Sequence, residues 1–236
     1  MTHLLITGGT SGIGLNFVER YSKDFDEITV LGRDFSKLDQ LNLNFNKQEV
    51  DFSSHHGNYE FIDGIGIITH AVFAAGYVEN TPLRFHESES ATRQIMVNLV
   101  SQVNLFAELY RCKRLAQNGS VVFVGSLLGP SIGMPAGLSY AASKAGLMGA
   151  IKVMALEAAK KGIRVNAVSP GMVETPMTES LVISSELIKK DKRRYPLGAK
   201  YLKQDEVTSI MKFLLDSGSN AITGQNIVAD RGFTLQ

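Results

Sequence analysis

A doubly wound α/β domain, one parallel sheet between two layers of helices, is the fold class this chain predicts, on three observations. Short β-branched apolar runs alternate with longer helical patterns along most of the sequence, the signature of parallel strands joined by helical crossovers. A glycine-rich turn joins the first run to the first helix. With 236 residues, 44% hydrophobic and 20% charged, the chain can bury one substantial core and is short for two. A single domain spanning 1–236 follows.

Seven strands are expected, at 3–7, 27–31, 47–51, 68–74, 120–125, 163–168 and 226–229. Between them the sequence predicts helices over 12–23, 89–117, 139–161 and 204–216. The helix at 89–117 carries Ile95, Leu99, Val103 and Phe106 at three-to-four spacing, which gathers them on one face. The stretch 35–66 is the least regular, because Asn, Gly and His interrupt its periodicity, so any helices there must be short. Repeats, low-complexity tracts and Pro/Ser-rich linkers are absent from the sequence.

Composition excludes several functions. Lys and Arg together number 24 against 23 for Asp and Glu, a net charge of +1, so no overall field favours a polyanion and nucleic-acid binding is not expected. The apolar runs stop well short of the ~20 residues a membrane helix needs, and the first residues carry no basic leader. One cysteine, Cys112, rules out an internal disulfide and a Cys-based zinc site and fits a reducing, cytoplasmic compartment. His55 and His56 are adjacent, a spacing ill-suited to chelating one metal, and lack clustered Cys or acidic partners. No catalytic metal is expected, and His70 and His86 read as core or surface residues.

The turn Thr7-Gly8-Gly9-Thr10-Ser11-Gly12-Ile13-Gly14 has the sequence context of a dinucleotide site. Gly8, Gly12 and Gly14 permit a tight turn, close approach to a pyrophosphate and close helix-on-strand packing, while the helix N-terminus offers unpaired N–H groups. After the second strand, where an acidic residue would accept from a ribose 2′-hydroxyl, stand Gly32 and Arg33. Gly32 cannot accept, and an arginine clamps a 2′-phosphate, so NADP(H) is favoured over NAD(H). Asp34 beside it leaves open a plain surface ion pair. Asp51, ending the third strand, reads either as a partner for the adenine edge or as a cap on the next turn.

Farther along, Tyr140 and Lys144 stand four residues apart in a predicted helix, which sets both on one face. A phenol titrates near pH ~10 and an ammonium near ~10.4, but a neighbouring cation lowers the phenol. Such a pair can pass a proton to an oxygen forming from a carbonyl. By itself the spacing also fits a packed Tyr beside a solvated Lys.

Together with Ala74-Ala75-Gly76, Asn98, Ser126 and Asn166-Ala-Val-Ser-Pro-Gly171 followed by Thr175, these motifs resemble the short-chain dehydrogenase/reductase family over nearly the whole chain. The resemblance implies a seven-stranded Rossmann fold and a catalytic tetrad. Tyr140 would be the general acid as hydride arrives from the nicotinamide, and Lys144 would depress its pKa and hold the nicotinamide ribose. Ser126 would hydrogen-bond the carbonyl oxygen, and Asn98 would hold a water in a proton relay. The cofactor residues it implies are Gly8, Thr10, Ser11, Gly12, Ile13, Gly14, Arg33, Asp51, Phe52, Ala75, Gly76, Asn98, Tyr140, Lys144, Pro170, Gly171, Val173 and Thr175. A substrate lid is expected over about 172–200, its basic run 189–194 either a solvated helix face or a contact for a phosphorylated or carrier-bound substrate.

Within the family the resemblance leans to 3-oxoacyl-carrier-protein reductases through Tyr195-Pro196-Leu197-Gly198 and Ile222-Thr-Gly-Gln225. It implies a homotetramer packed through the helices starting near 89 and 139, and a small carbonyl or alcohol substrate. Three departures stand out. Ala74 replaces an asparagine, the Ser126-to-Tyr140 interval is one residue longer than the commonest spacing, and Asp230-Arg231-Gly232 replaces a double glycine. A fold that binds the cofactor without turnover, as a regulatory or scaffold protein, is the second function class.

Overall fold

The computed structural model describes residues 1–41, 43–54, 59–179 and 185–236. Its strands are β1 (His3–Thr7), β2 (Glu27–Gly32), β3 (Asn46–Glu49), β4 (Ile68–Phe73), β5 (Leu115–Val124), β6 (Arg164–Pro170) and β7 (Asn226–Ala229). The α-helices are α1 (Gly12–Tyr21), α2 (Ser36–Asp39), α3 (Ser88–Ile95), α4 (Ser101–Arg111), α5 (Leu138–Ala158), α6 (Pro176–Glu179), α7 (Ser185–Lys192) and α8 (Gln204–Leu215). His55 and His56 fall outside the described residues, as do 180–184 within the expected lid.

All strands pair in parallel, in the order β3-β2-β1-β4-β5-β6-β7. A parallel sheet buried on both faces has near-continuous apolar strands whose alternate residues serve opposite layers. Leu4 and Ile6 of β1 pack with α1 and α8, whereas Leu5 packs with α4 and α5. Phe73 and Phe123 stack with centroids 4.3 Å apart beneath α4.

The strand reading agrees except at two places. β3 is polar and largely exposed and pairs over 46–49, whereas the expected range 47–51 has Val50 as its one apolar residue. β5 begins at Leu115, not 120, because the long helix ends early. Lys113 takes φ +56°, and the Arg114 N–H bonds the Leu109 carbonyl at 2.8 Å. This left-handed helix stop is usually signalled by glycine, and here none marks it. The expected 89–117 helix is also divided by a wider turn over Met96–Val100, centred on Asn98.

Arg164, at the start of β6, holds down the end of α8. Its Nη1 donates to the Leu214 carbonyl at 2.7 Å and to Ser219 Oγ at 2.9 Å. Its Nη2 donates to the carbonyls of Leu215 at 3.2 Å and Asp216 at 3.1 Å. A buried cation thus satisfies carbonyls that a helix terminus leaves unpaired. Replacing Arg164 by Leu strands those acceptors, and we expect a loss of about 3 kcal/mol and a fall in Tm of roughly 6–12 °C in thermal denaturation. An unchanged Tm would show that the guanidinium is not what caps α8.

Candidate active site

Every predicted site residue except Gly14 and Asn98 lines one cavity of about 650 Å³ along the carboxyl edge of the sheet. The cavity opens where the strand order reverses between β1 and β4, the crevice in which open α/β sheets bind ligands. At that point the Gly8 backbone lies against Ala75: a Cβ on Gly8 would come within 2.7 Å of the Ala75 nitrogen. Gly14 sits under the turn, where a Cβ would fall 2.2 Å from the Gly8 carbonyl. It packs α1 against the turn and does not line the cavity.

Ala74 has no polar side chain to offer, and the strand ends are joined by other groups. The Ala75 N–H donates to Thr7 Oγ1 at 3.1 Å, and that hydroxyl donates to Gln102 Oε1 at 3.0 Å. A buried network therefore ties the ends of β1 and β4 to α4. Neither Thr7 nor Gln102 announces this role in the sequence, since only the tertiary fold joins them.

The turn fits a dinucleotide phosphate. The Ser11 side chain does not cap α1, so the first-turn N–H groups at Gly12 and Ile13, on the cavity wall, are left for an anion. A Cβ at Gly12 would meet nothing closer than Thr175 at 4.0 Å, so the space above the turn is open. Thr175, buried on the far wall, brings the chain after β6 over this turn. Pro170 and Gly171 lie between: the Gly171 N–H bonds the Ala229 carbonyl at 2.9 Å, and Val173 pairs with Leu202.

At the β2 and β3 end, Arg33 is exposed on the cavity wall beside Asp51 and Phe52. Asp51 accepts from the Ser53 N–H at 2.9 Å and Ser53 Oγ at 2.8 Å. Those bonds hold its carboxyl below the usual range, with smaller help from the charges of Arg33 and Arg93. Asp51 thus caps its own turn while facing the cavity. Arg93, not foreseen from sequence, also lines this end and lies over the Tyr77 ring, 5.0 Å from its centroid.

The catalytic candidates converge at the end of β5. Ser126 hydrogen-bonds the Tyr140 phenol, and the Leu128 N–H donates to Ser126 Oγ at 3.1 Å. Lys144 is 4% exposed, its Nζ donating to the Val124 carbonyl at 2.9 Å and lying 5.7 Å from the Tyr140 ring centroid. Burial pushes the Tyr140 phenol up, and the lowering influence is the Ser126 hydrogen bond, where the sequence points to Lys144. Lys144 itself is pushed down to about 8 by loss of hydration. The longer Ser126-to-Tyr140 interval folds into a compact loop, with Gly129 N–H bonding the Ile132 carbonyl at 2.9 Å.

Asn98 is fully buried behind this wall. Its Oδ1 accepts from the Tyr77 N–H at 2.7 Å, and its Nδ2 donates to the Tyr77 carbonyl at 2.8 Å and Ser143 Oγ at 3.2 Å. Both amide hydrogens are committed to fastening the loop after β4 onto α5. The wide helical turn around it is the kind of irregularity that re-aims a side chain at a functional site.

Arg231 is placed within the chain's own fold. It bonds Glu206 of α8 and the Leu197 carbonyl. Of the basic run, only Arg194 lines the cavity, alongside Asp191, Tyr195 and Phe233. Lys192 pairs with Glu174 at 3.2 Å, and Lys189, Lys190 and Arg193 are exposed. Among the described residues no group of His, Cys, Asp and Glu could hold a metal, and no helix is long and apolar enough to cross a membrane.

Comparison with known proteins agrees with this geometry. A family model described as enoyl-(acyl carrier protein) reductase matches residues 59–234. The chain is 33% identical to the 3-oxoacyl-[acyl-carrier-protein] reductase of Thermotoga maritima, covering 98% of this chain and 97% of that protein. It is 29% identical to a tropinone reductase homologue of Arabidopsis thaliana, over 98% and 92% of the two. A short-chain dehydrogenase family structure from Francisella tularensis superposes with a TM-score of 0.88 at 26% identity, covering 100% of both chains. With this match along the chain, and with Ser126, Tyr140 and Lys144 gathered on one cavity, the chain belongs to the short-chain dehydrogenase/reductase family, oxidoreductases that act on carbonyl and alcohol groups.

Proposed function

We propose that this protein is an NADP(H)-dependent carbonyl reductase, reversibly interconverting a ketone and a secondary alcohol, with a 3-oxoacyl compound as the favoured type of substrate. The observation that carries this reading is one continuous cavity running from Arg33, past the glycine turn, to Ser126, Tyr140 and Lys144. The similar proteins named above as 3-oxoacyl and tropinone reductases or their homologues support a ketone as the reacting group. A cofactor-binding protein without turnover is the weaker reading, because the four tetrad residues are all present.

The nicotinamide supplies or accepts the hydride when bound. The Tyr140 hydroxyl gives its proton to the substrate oxygen as negative charge develops there. Ser126 Oγ has an acceptor position filled by the Leu128 N–H, which leaves its own proton to donate to the same oxygen. Lys144 uses one donor on the Val124 carbonyl and keeps others for ribose hydroxyls. As an ammonium behind the phenol it stabilises the phenolate left after proton transfer. Asn98 is a positioning residue that sets the loop after β4 against α5.

The segment between Val173 and Leu202 serves as the substrate lid, carrying α6 and α7 over the nicotinamide end. Arg33, with Arg93 near it, meets the 2′-phosphate. The outer face of α5 leaves Val153 and Leu156 at 55% and 75% exposure, which fits packing against further copies in a homotetramer. A cytoplasmic location is in keeping with this chemistry and the single thiol.

Fluorescence titration should give a Kd for NADPH at least about tenfold below that for NADH, with Arg33→Ala bringing the two together. Equal affinities in the parent protein would refute the 2′-phosphate assignment. Tyr140→Phe should reduce kcat by at least about a hundredfold while NADPH still binds, and retained turnover would sink the mechanism.

Lys144→Met should abolish turnover yet raise stability. The folded pKa near 8 lies below the unfolded value of about 10.4, so the unfolded chain holds the proton more tightly. Between about pH 8 and 10.4 this group's contribution to stability rises with pH, and at pH 7 the full cost of the buried ammonium is present. Removing it, less the bond to Val124, should add about 1–2 kcal/mol in denaturation at pH 7. A lower stability would mean the ammonium is well solvated in place.

A further inference from the structure

Arg194 stands apart from the other cations around the cavity. Its guanidinium lies on the ring of Phe233, 4.4 Å from the centroid, and Nη1 donates to Asp191 Oδ1 at 3.1 Å. Asp191 Oδ2 in turn accepts from the Tyr201 hydroxyl at 3.0 Å. Stacking fixes the plane of the fork and Asp191 fixes one edge, while Nε and Nη2 have no hydrogen-bond partner among the described residues. An arginine held in this way presents two parallel donors, the geometry that matches a carboxylate or phosphate.

Its surroundings select a second property of the ligand. Arg194, Phe233 and Tyr195 share the cavity wall with Met134, Met172 and Met177, adaptable apolar side chains. Arg33 follows β2, whereas Phe233 follows β7 and Ser126 follows β5. In the strand order, β2 is separated from β7 by β1, β4, β5 and β6, five spacings of ~4.8 Å or roughly 24 Å. Arg33, where the 2′-phosphate would lie, and Arg194 therefore mark opposite ends of the cleft. β7 is only two spacings from β5, roughly 10 Å, so the free fork lies within reach of one end of a substrate whose carbonyl is at Tyr140.

We propose that Arg194 recognises an anionic group on the substrate, a carboxylate or phosphate joined to the reacting ketone by an apolar spacer of about 10 Å. This rests on the reductase reading and assigns its substrate class. Arg193, one residue earlier, is exposed and off the cavity wall, and supplies the control.

The test is steady-state reduction, followed by NADPH oxidation, with the parent protein, Arg194→Gln and Arg193→Gln. One panel is a homologous series of methyl-ketone carboxylates and their methyl esters. The other is a series of ω-phosphorylated methyl ketones of the same chain lengths and their unphosphorylated alcohols. The expected result is that Arg194→Gln raises KM for the anionic member of a pair at least about tenfold, with kcat and ester turnover unchanged and Arg193→Gln like the parent. The pair that shows the effect tells carboxylate from phosphate, and ester turnover by the variant reports that it is folded. If Arg194→Gln treats charged and neutral members as the parent does, the anion assignment is overturned and the reductase reading stands. If the parent reduces no member of either panel, the reductase reading fails and this assignment with it.

Discussion

The site depends on two backbones meeting without side chains between them. Gly8, ending the first strand's turn, lies so close to Ala75 that a methyl group would require the strand ends to separate. Because β1 and β4 are neighbours while β2 lies on the other side of β1, their crossovers leave in opposite directions and a crevice opens between them. Thr7 and Gln102 secure that approach by a buried hydroxyl-to-amide network. The glycine turn, the loop after β4 and the open end of α1 all take their positions from it. Asn98 continues the tether toward α5, and through α5 to Tyr140 and Lys144.

Much of this is legible in the sequence because its causes are local. Strands buried on both faces write themselves as near-continuous apolar runs, so β1, β2, β4 and β6 are recognisable, and the edge strand β7 is marked by its short Ile227-Val228-Ala229 run. Tyr140 and Lys144 share a helix face by spacing alone, and Gly8, Gly12 and Gly14 mark a turn by composition. Features with tertiary causes are not visible. Lys113 stops α4 in a conformation that glycine would have advertised, so apolar patterning starts β5 five residues late. β3 is short and polar because it is an edge strand facing water, so no apolar run marks its bounds. Arg93 and Phe233 reach the cavity only through the folding of distant segments, and only the tertiary fold singles out Arg194 from the rest of the basic run.

Burial sets a cost at the centre of the site. Lys144 is held in a wall that strips its water and lowers its pKa to about 8, the kind of perturbation that clusters at functional sites. Elsewhere the fold treats buried cations differently. Arg164 is surrounded by carbonyls and a hydroxyl, so its charge is spent on closing a helix. One cation is left partly unmatched beside a cavity, while the other is matched on all sides far from it.

The bridge between Val173 and Leu202, reinforced by the bonds Glu174 N–H to Leu202 carbonyl and Leu202 N–H to Met172 carbonyl, both 2.9 Å, closes the excursion at its base. Inside it, Thr175 stays over the glycine turn and the buried Tyr195 accepts from the Met172 N–H at 3.1 Å, so both ends of the excursion are anchored and the stretch between them is what can vary. Doubling the length of such a loop adds only ~0.6 kcal/mol of closure entropy. The excursion therefore behaves as an exchangeable cassette. Descendants of this chain can insert, delete or rewrite residues between Thr175 and Tyr195, and so acquire new specificities, while inheriting the glycine turn and the residues that cover it.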